Sequence, residues 1–139
     1  LSVYFFSTAM AAVNPSRPLQ PDPTPALGDV LPVVDDVARL SASPVARVFH
    51  PRSVEDIQKV VRLARKCGVQ VSIRGTQHTM GAHTIAANGF VIDCKNLRQL
   101  SFDPVSQICT TGPGNTWADL IKHLNDYGFS PRTMQSYST

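Results

Sequence analysis

Two segments of the chain carry apolar residues at the spacing of an amphipathic helix. The first lies between Ser53, an N-cap residue followed three positions later by Asp56, and Gly68, the expected C-terminal stop. Its apolar stripe is Val54, Ile57, Val60, Val61 and Ala64. Thr116 and Asp119 begin a second helix in the same way, and Gly128 is expected to end it. The second stripe is Trp117, Leu120, Ile121 and Leu124.

Short apolar runs predict the strands. Residues 45–49 form one strand before the first helix, and residues 69–74 form the next, with Val71 and Ile73 on one face. The strand–helix–strand order predicts that these two strands are parallel with a right-handed crossover. Residues 90–92 predict a buried strand, and residues 100–103 and 107–111 a hairpin. The pattern indicates an α+β fold in which a βαβ unit precedes a hairpin and a helix.

The ends of the chain are less regular. Residues 3–13 are apolar. We interpret them as part of a signal peptide or the end of a membrane anchor, which favours export or membrane association. The alternative is a short N-terminal helix packed on the domain. Five prolines then predict an extended linker, and residues 31–40 a short helix. We therefore divide the chain into residues 1–44 and a domain over residues 45–139. A last strand is expected from Arg132.

Composition narrows the function classes. The 139 residues suit one domain, with 42% hydrophobic and 17% charged residues. A net charge of +3 suits an anionic ligand such as a dinucleotide phosphate, whereas the basic residues are too scattered to predict nucleic-acid binding. Three widely spaced cysteines form no zinc pattern. We expect free or buried thiols, with one disulfide as the alternative in an exported protein.

The segment over residues 73–81 concentrates polar groups directly after a strand. Gly75 permits a sharp turn in which successive main-chain N–H groups can surround an anion. Neutral donors follow at Thr76, Gln77 and Thr79, and His78 adds a nitrogen nucleophile. The segment lacks the glycine spacing of a Rossmann fingerprint and the ending of a P-loop. Residues 75–88 are predicted to be a functional loop.

Other polar residues have simpler interpretations. Arg74 either pairs with a phosphate or holds its charged head in solvent, and Asp93 is expected to form a turn. His83 lies five residues after His78, and no metal site is expected there because no carboxylate or cysteine is nearby. His50 is assigned to a strand end and His123 to a helix surface. Trp117 is assigned to the core.

The order of these motifs resembles the FAD-binding domain of the vanillyl-alcohol oxidase family, also called the PCMH-type fold. The resemblance covers residues 51–139 and corresponds to the N-terminal portion of that domain. It implies that the loop wraps the FAD pyrophosphate, with contacts from Ile73, Arg74, Gly75, Thr76, Gln77, His78, Thr79 and Gly81. It also implies that Gly112, Pro113 and Gly114 lie near the flavin.

The resemblance further implies a covalent bond between His78 and the 8α-methyl carbon of the flavin. The family more often has glycine where this chain has Gln77, whose side chain narrows the loop. Members of the family with two flavin bonds use a later cysteine. The region up to Thr139 offers no candidate for it, so any attachment through this region would be single.

The implied activity is that of an FAD-dependent oxidoreductase. A small-molecule CH–OH donor, such as a sugar, lactone or hydroxy acid, would pass a hydride to the flavin, and oxygen or another acceptor would take the electrons. No catalytic base is assigned, and these 139 residues by themselves are expected to be inactive. One alternative is a non-enzymatic α+β module that binds an anion or a partner. Another is a nucleotide binder of a different kind without a covalent bond.

Overall fold

The computed structural model describes Ser2–Tyr4 and residues 31–136. The chain divides into two compact units. The first, Pro15–Asn96, is called the parallel-sheet unit, and the second, Leu1–Asn14 with Leu97–Thr139, is called the hairpin unit. The interpretations of residues 5–30 as part of a signal peptide, anchor or proline-rich linker lie outside the described residues. No helix within the described part of the chain is long and apolar enough to cross a membrane.

The strands begin with three short ones. They are β1 (Ser2–Tyr4), β2 (Val33–Val34) and β3 (Ser43–Pro44). The parallel-sheet unit continues with β4 (Arg47–Phe49), α1 (Val54–Cys67), β5 (Val71–Arg74) and β6 (Phe90–Asp93). A short 3-10 helix, Cys94–Asn96, ends it.

Strands β4, β6 and β5 form a parallel sheet in that order. The predicted parallel direction of β4 and β5 is confirmed, but the two strands are not neighbours because β6 lies between them. All four residues of β6 are buried, which confirms the buried strand predicted there. A central parallel strand is covered on both faces, and its continuous apolar run reflects this.

Helix α1 confirms most of the predicted capping. The Ser53 side chain accepts a hydrogen bond from Asp56 N, and Gly68 adopts a left-handed φ of 67° at the C-terminus. In a complete capping box the Asp56 carboxylate would accept a hydrogen bond from Ser53 N. Here it accepts one from Arg52 N, one residue earlier, at 3.2 Å. The predicted stripe was too wide: its fully buried members are Val60 and Ala64, whereas Val54 and Val61 are 59% and 46% exposed.

Residues 31–40 do not form the predicted helix. Strands β2 and β3 pair antiparallel, and a turn lies between them. Asp35 Oδ1 accepts from Asp36 N at 2.8 Å and from Ser41 N at 3.2 Å, while Asp36 Oδ1 accepts from Ala38 N at 3.0 Å. Short carboxylate side chains compete for main-chain N–H groups in this way, which favours turns over helix.

The hairpin unit contains β7 (Leu100–Asp103), β8 (Ile108–Thr111) and α2 (Trp117–Asn125). Strands β7 and β8 form the predicted antiparallel hairpin, and β1 pairs parallel with β8. Asp103 Oδ1 accepts from Val105 N at 3.0 Å and fixes the turn. The core of this unit consists of Phe102, Cys109, Leu120 and Leu124, with Leu100, Trp117 and Phe129 packed against it. The core position predicted for Trp117 is confirmed.

Helix α2 has the complete capping box that the sequence predicts. Thr116 Oγ1 accepts from Asp119 N, and the Asp119 carboxylate accepts from Thr116 N. The helix ends at Asn125, earlier than predicted, and Gly128 adopts a φ of 75° in the turn that follows. The strand predicted from Arg132 is absent from the described residues, which contain only irregular structure over 131–136.

The three cysteines are unpaired thiols, as expected: Cys67 is exposed, and Cys94 and Cys109 are buried. Burial raises the pKa of the Cys94 thiol, and the negative charge of Asp93 raises it further. Burial also raises the pKa of Cys109. Both buried thiols therefore behave as small apolar core residues.

Removing the cap of α2 should loosen that helix. Thr116→Ala in the full polypeptide encoded by the gene should cost about 1 kcal/mol of local stability, because Asp119 N loses its acceptor. Amide exchange measured by mass spectrometry should be roughly fivefold faster over residues 117–125. The exposed Thr133 offers a control, Thr133→Ala, with no expected change in these peptides. Equal exchange in both variants would contradict the assigned cap.

Acid should remove part of the same stabilisation. The main-chain N–H of Thr116 and then its hydroxyl lower the pKa of Asp119 below its ordinary value, and Arg98 contributes less. A carboxyl whose pKa is lower in the folded state stabilises the fold above its unfolded pKa, about 3.9, and this is lost as pH falls through the folded pKa. The difference in thermal midpoint between the parent and Asp119→Asn should therefore shrink below about pH 4. A constant difference down to strongly acidic pH would contradict this.

Candidate functional site

The candidate loop begins at the carboxyl end of β5, an edge strand of the parallel sheet. Open parallel sheets bind ligands at this edge. The loop confirms the irregular structure predicted for residues 75–88. Three of its residues have left-handed φ angles: Gln77 at 62°, Ala82 at 58° and Asn88 at 57°. His78 is exposed, with its Nδ1 3.4 Å from Thr76 Oγ1.

The free donors of this loop are main-chain groups. In the part of the chain that the structure describes, no group accepts a hydrogen bond from the N–H of Thr76, Thr79 or Gly81. Unpaired donors of this kind, next to threonine hydroxyls, suit a phosphate or another anion. Contact of these donors with the FAD pyrophosphate stays a prediction.

A buried ion pair fixes the start of the loop. Arg74 Nε donates to Asp93 Oδ2 at 2.9 Å, and the two side chains are 15% and 4% exposed. The alternative that placed the Arg74 head in solvent is wrong, while its contact with a phosphate stays a prediction. Asp93 Oδ1 also accepts from Lys95 N at 3.1 Å, which confirms its predicted role in a turn. His50 Nδ1 lies 3.9 Å from Asp93 Oδ2 at the end of β4.

A second contact region holds the middle and end of the loop. The Gln77 carbonyl accepts from Val37 N at 3.1 Å, and Gln77 Nε2 donates to the Asp35 carbonyl. Asp36 Oδ2 accepts from Ala82 N at 2.8 Å, and this aspartate is 5% exposed. The sequence interpretation missed these contacts because it placed residues 31–40 in a helix before the domain.

The outer side of β5 borders an open groove of 630 Å³. Its lining residues are Gln70, Val71, Ser72, Ile73, His83, Ile85 and Ala86. Val71 and Ile73 share one face of β5 as predicted, and this face is partly open, because Val71 is half-buried and Ile73 is 59% exposed. Ser72 Oγ donates to Thr84 O at 3.0 Å, which ties the later part of the loop to β5.

The described residues contain no group of three or more histidines, cysteines or acidic residues able to hold a metal ion. His123 is half-buried, not a surface residue as predicted: its ring packs edge-on against Tyr127 at 5.5 Å.

The glycine turn of the hairpin unit has a clear packing role. Gly112 N donates to Gln99 O at 2.7 Å, and Gly114 N donates to Leu97 O at 2.8 Å. A Cβ on Gly112 would lie 2.3 Å from Leu97 O, so only glycine fits this approach. Pro113 is exposed between the two glycines. Contact of this turn with a flavin stays a prediction, because the turn and the loop over residues 75–81 belong to different units.

Comparison with known proteins connects this geometry to a family. The family model described as an FAD binding domain matches residues 45–139. The chain belongs to this FAD-binding domain family. The resemblance to vanillyl-alcohol oxidase and PCMH-type proteins is thereby confirmed, and FAD is the cofactor that the family name specifies.

Relatives of this FAD-binding domain are oxidoreductases by name. Cytokinin dehydrogenase 9 of Oryza sativa subsp. japonica is 28% identical over 78% of this chain and 22% of its own length. The FAD-linked oxidoreductase ptmO of Penicillium ochrochloron is 31% identical over 58% of this chain and 18% of its own length. The FAD-binding chain thus spans about a fifth of the length of these relatives.

Solved structures agree on the fold. Cholesterol oxidase from B. sterolicum superposes with a TM-score of 0.63 over 88% of this chain and 23% of that chain, at 14% identity. Identity this low shows the fold alone. The α+β, PCMH-type architecture expected from the sequence is confirmed.

Breaking the Arg74–Asp93 ion pair should destabilise the sheet of the parallel-sheet unit. Asp93→Asn leaves a buried guanidinium without its counter-charge, at a cost of about 3 kcal/mol. Arg74→Met combined with Asp93→Leu should cost much less, because neither charge stays buried alone. Amide exchange over Phe90–Asp93 in the full polypeptide measures both effects.

The exposed pair Arg98–Asp119 provides the control for this experiment. Its side chains are 58% and 32% exposed, so Arg98→Met should cost less than about 1 kcal/mol. The charge-balance role of Asp93 would be contradicted if the double substitution at Arg74 and Asp93 lowered stability as much as Asp93→Asn does.

Proposed function

We propose that the loop after β5 forms part of the FAD site of a flavin-dependent oxidoreductase. The observation that carries this proposal is the exposed loop at the carboxyl edge of a parallel sheet, within the matched FAD-binding domain. The N–H groups of Thr76, Thr79 and Gly81 would bind the pyrophosphate. The proposed contact residues are those that the resemblance implies: Ile73, Arg74, Gly75, Thr76, Gln77, His78, Thr79 and Gly81 in the loop, and Gly112, Pro113 and Gly114 in the glycine turn.

His78 is the proposed point of covalent attachment. Its imidazole is exposed on the loop, as a side chain must be to reach the flavin ring system. The left-handed φ of 62° at Gln77 supports the family correspondence, because glycine adopts this conformation most readily. Gln77 keeps this backbone shape, and its side chain turns away to the Asp35 carbonyl, so it need not block the loop.

The proposed reaction of the full polypeptide is oxidation of a small molecule at a CH–OH group. Bound FAD would supply the hydride acceptor, and oxygen or another acceptor would receive the electrons. This chain would supply binding and orientation of the cofactor, and no residue in it is assigned as a catalytic base. The CH–OH class rests on the family resemblance.

These 139 residues alone are proposed to be inactive, because the chain spans about a fifth of its relatives and the substrate site would lie elsewhere. Export or membrane association is proposed from the apolar residues 3–13, and fractionation of cells that make the full polypeptide tests it.

Acid precipitation of the full polypeptide tests the cofactor and its bond to His78. We expect yellow flavin to stay in the pellet of the unaltered protein and to appear in the supernatant of His78→Ala. His83→Ala is the matched control, because this histidine lies in the same loop and should leave the colour in the pellet.

Flavin released from the unaltered protein would remove the covalent bond and keep FAD binding. If neither fraction contains flavin after refolding with excess FAD, the proposal is wrong. The non-enzymatic anion- or partner-binding module would then be the better explanation.

A further inference from the structure

Buried carboxylates hold the candidate loop at Arg74, directly before it, and at Ala82. Among the described residues, the buried charged side chains are Asp36 and Asp93, which are 5% and 3% exposed. Asp93 holds Arg74 directly before the loop, and Asp36 accepts a hydrogen bond from Ala82 N within it. Burying a carboxylate costs free energy unless strong hydrogen bonds replace its water. Each of these two buried carboxylates accepts a hydrogen bond from the segment over residues 74–82.

Gln77 is held in the middle of this loop at two points. Its carbonyl accepts from Val37 N, and its side-chain amide donates to the Asp35 carbonyl. Its left-handed φ is unfavourable for a residue with a side chain, so surrounding contacts must maintain it. The residues that maintain it lie about forty positions earlier in the chain.

We propose that Asp36 and Gln77 are positioning residues that hold the loop in its cofactor-binding shape before FAD arrives. This inference rests on the proposed function. Neither side chain needs to touch the cofactor: among the residues that the structure describes, the Asp36 carboxylate accepts from the main-chain N–H groups of Ala38 and Ala82 alone. A loop that is already ordered loses less conformational entropy on binding, so its affinity for the ligand is higher.

Two substitutions separate this role from general stability. Asp36→Asn keeps the size of the side chain but replaces one acceptor oxygen with an NH₂ group, so that one of its two main-chain bonds is lost. Gln77→Asn retains a residue that tolerates a left-handed φ but is too short to reach the Asp35 carbonyl. Each is made in the full polypeptide carrying His78→Ala, so that FAD stays exchangeable.

The first measurement is the dissociation constant of FAD, from the quenching of flavin fluorescence. Asp36→Asn should weaken binding about tenfold and Gln77→Asn about fivefold, the size expected for lost hydrogen bonds. The second measurement is amide exchange without FAD, which should become faster over residues 75–82 and stay unchanged over 117–125. A role limited to global stability would change both regions together.

Asp119→Asn is the matched control, because it makes the same chemical change at a helix cap of the hairpin unit. It should leave FAD affinity unchanged. The positioning proposal is overturned if Gln77→Asn binds FAD as tightly as the His78→Ala parent, or if Asp119→Asn weakens binding equally. Gln77→Asn decides the matter even if Asp36→Asn fails to fold. If the unaltered polypeptide binds no FAD, the proposed function fails instead.

Discussion

The burial of β6 is the constraint on which the candidate site depends. This strand lies between β4 and β5, and all four of its residues are buried, including the carboxylate of Asp93. A charge at the end of a buried strand requires a partner, and Arg74 supplies it from the neighbouring strand. The same ion pair therefore aligns the carboxyl ends of β5 and β6 and fixes where the loop begins.

The loop is held to the parallel-sheet unit by several hydrogen bonds and also has main-chain N–H groups that can bind a ligand. Its attachments use the Arg74 side chain, the Gln77 carbonyl and side chain, and the Ala82 N–H. Within residues 31–136, no group accepts a hydrogen bond from the N–H of Thr76, Thr79 or Gly81. Rigid scaffolds that present loops in this way are common at binding sites. The loop loses its conformational entropy during folding, so less entropy is lost when the ligand binds. The matched family specifies FAD as the cofactor of the domain, and we propose that this loop binds it.

Sequence patterns predicted the elements whose causes are local. Both helices have the predicted N-caps, and α2 shows the full Thr116–Asp119 capping box. The hairpin of β7 and β8 follows from alternating residues and a turn stabilised by Asp103. Local preferences failed where side chains competed with the backbone: Asp35 and Asp36 formed turns in place of the predicted helix. The width of the buried stripe on α1 was also overestimated, because the spacing of apolar residues does not reveal how much of the helix surface a neighbouring sheet covers.

The sequence by itself determined the order of the strands and α-helices from β4 to α2, the N-caps of both helices and the loop that contains His78, because hydrogen bonds and periodicity act over a few residues. Tertiary structure alone decided that β6 separates β4 and β5, that Arg74 pairs with Asp93, and that Asp36 contacts Ala82. These contacts join positions 19 and 46 residues apart. Their partners are selected by burial, which depends on how the whole unit packs and leaves no short-range pattern in the chain.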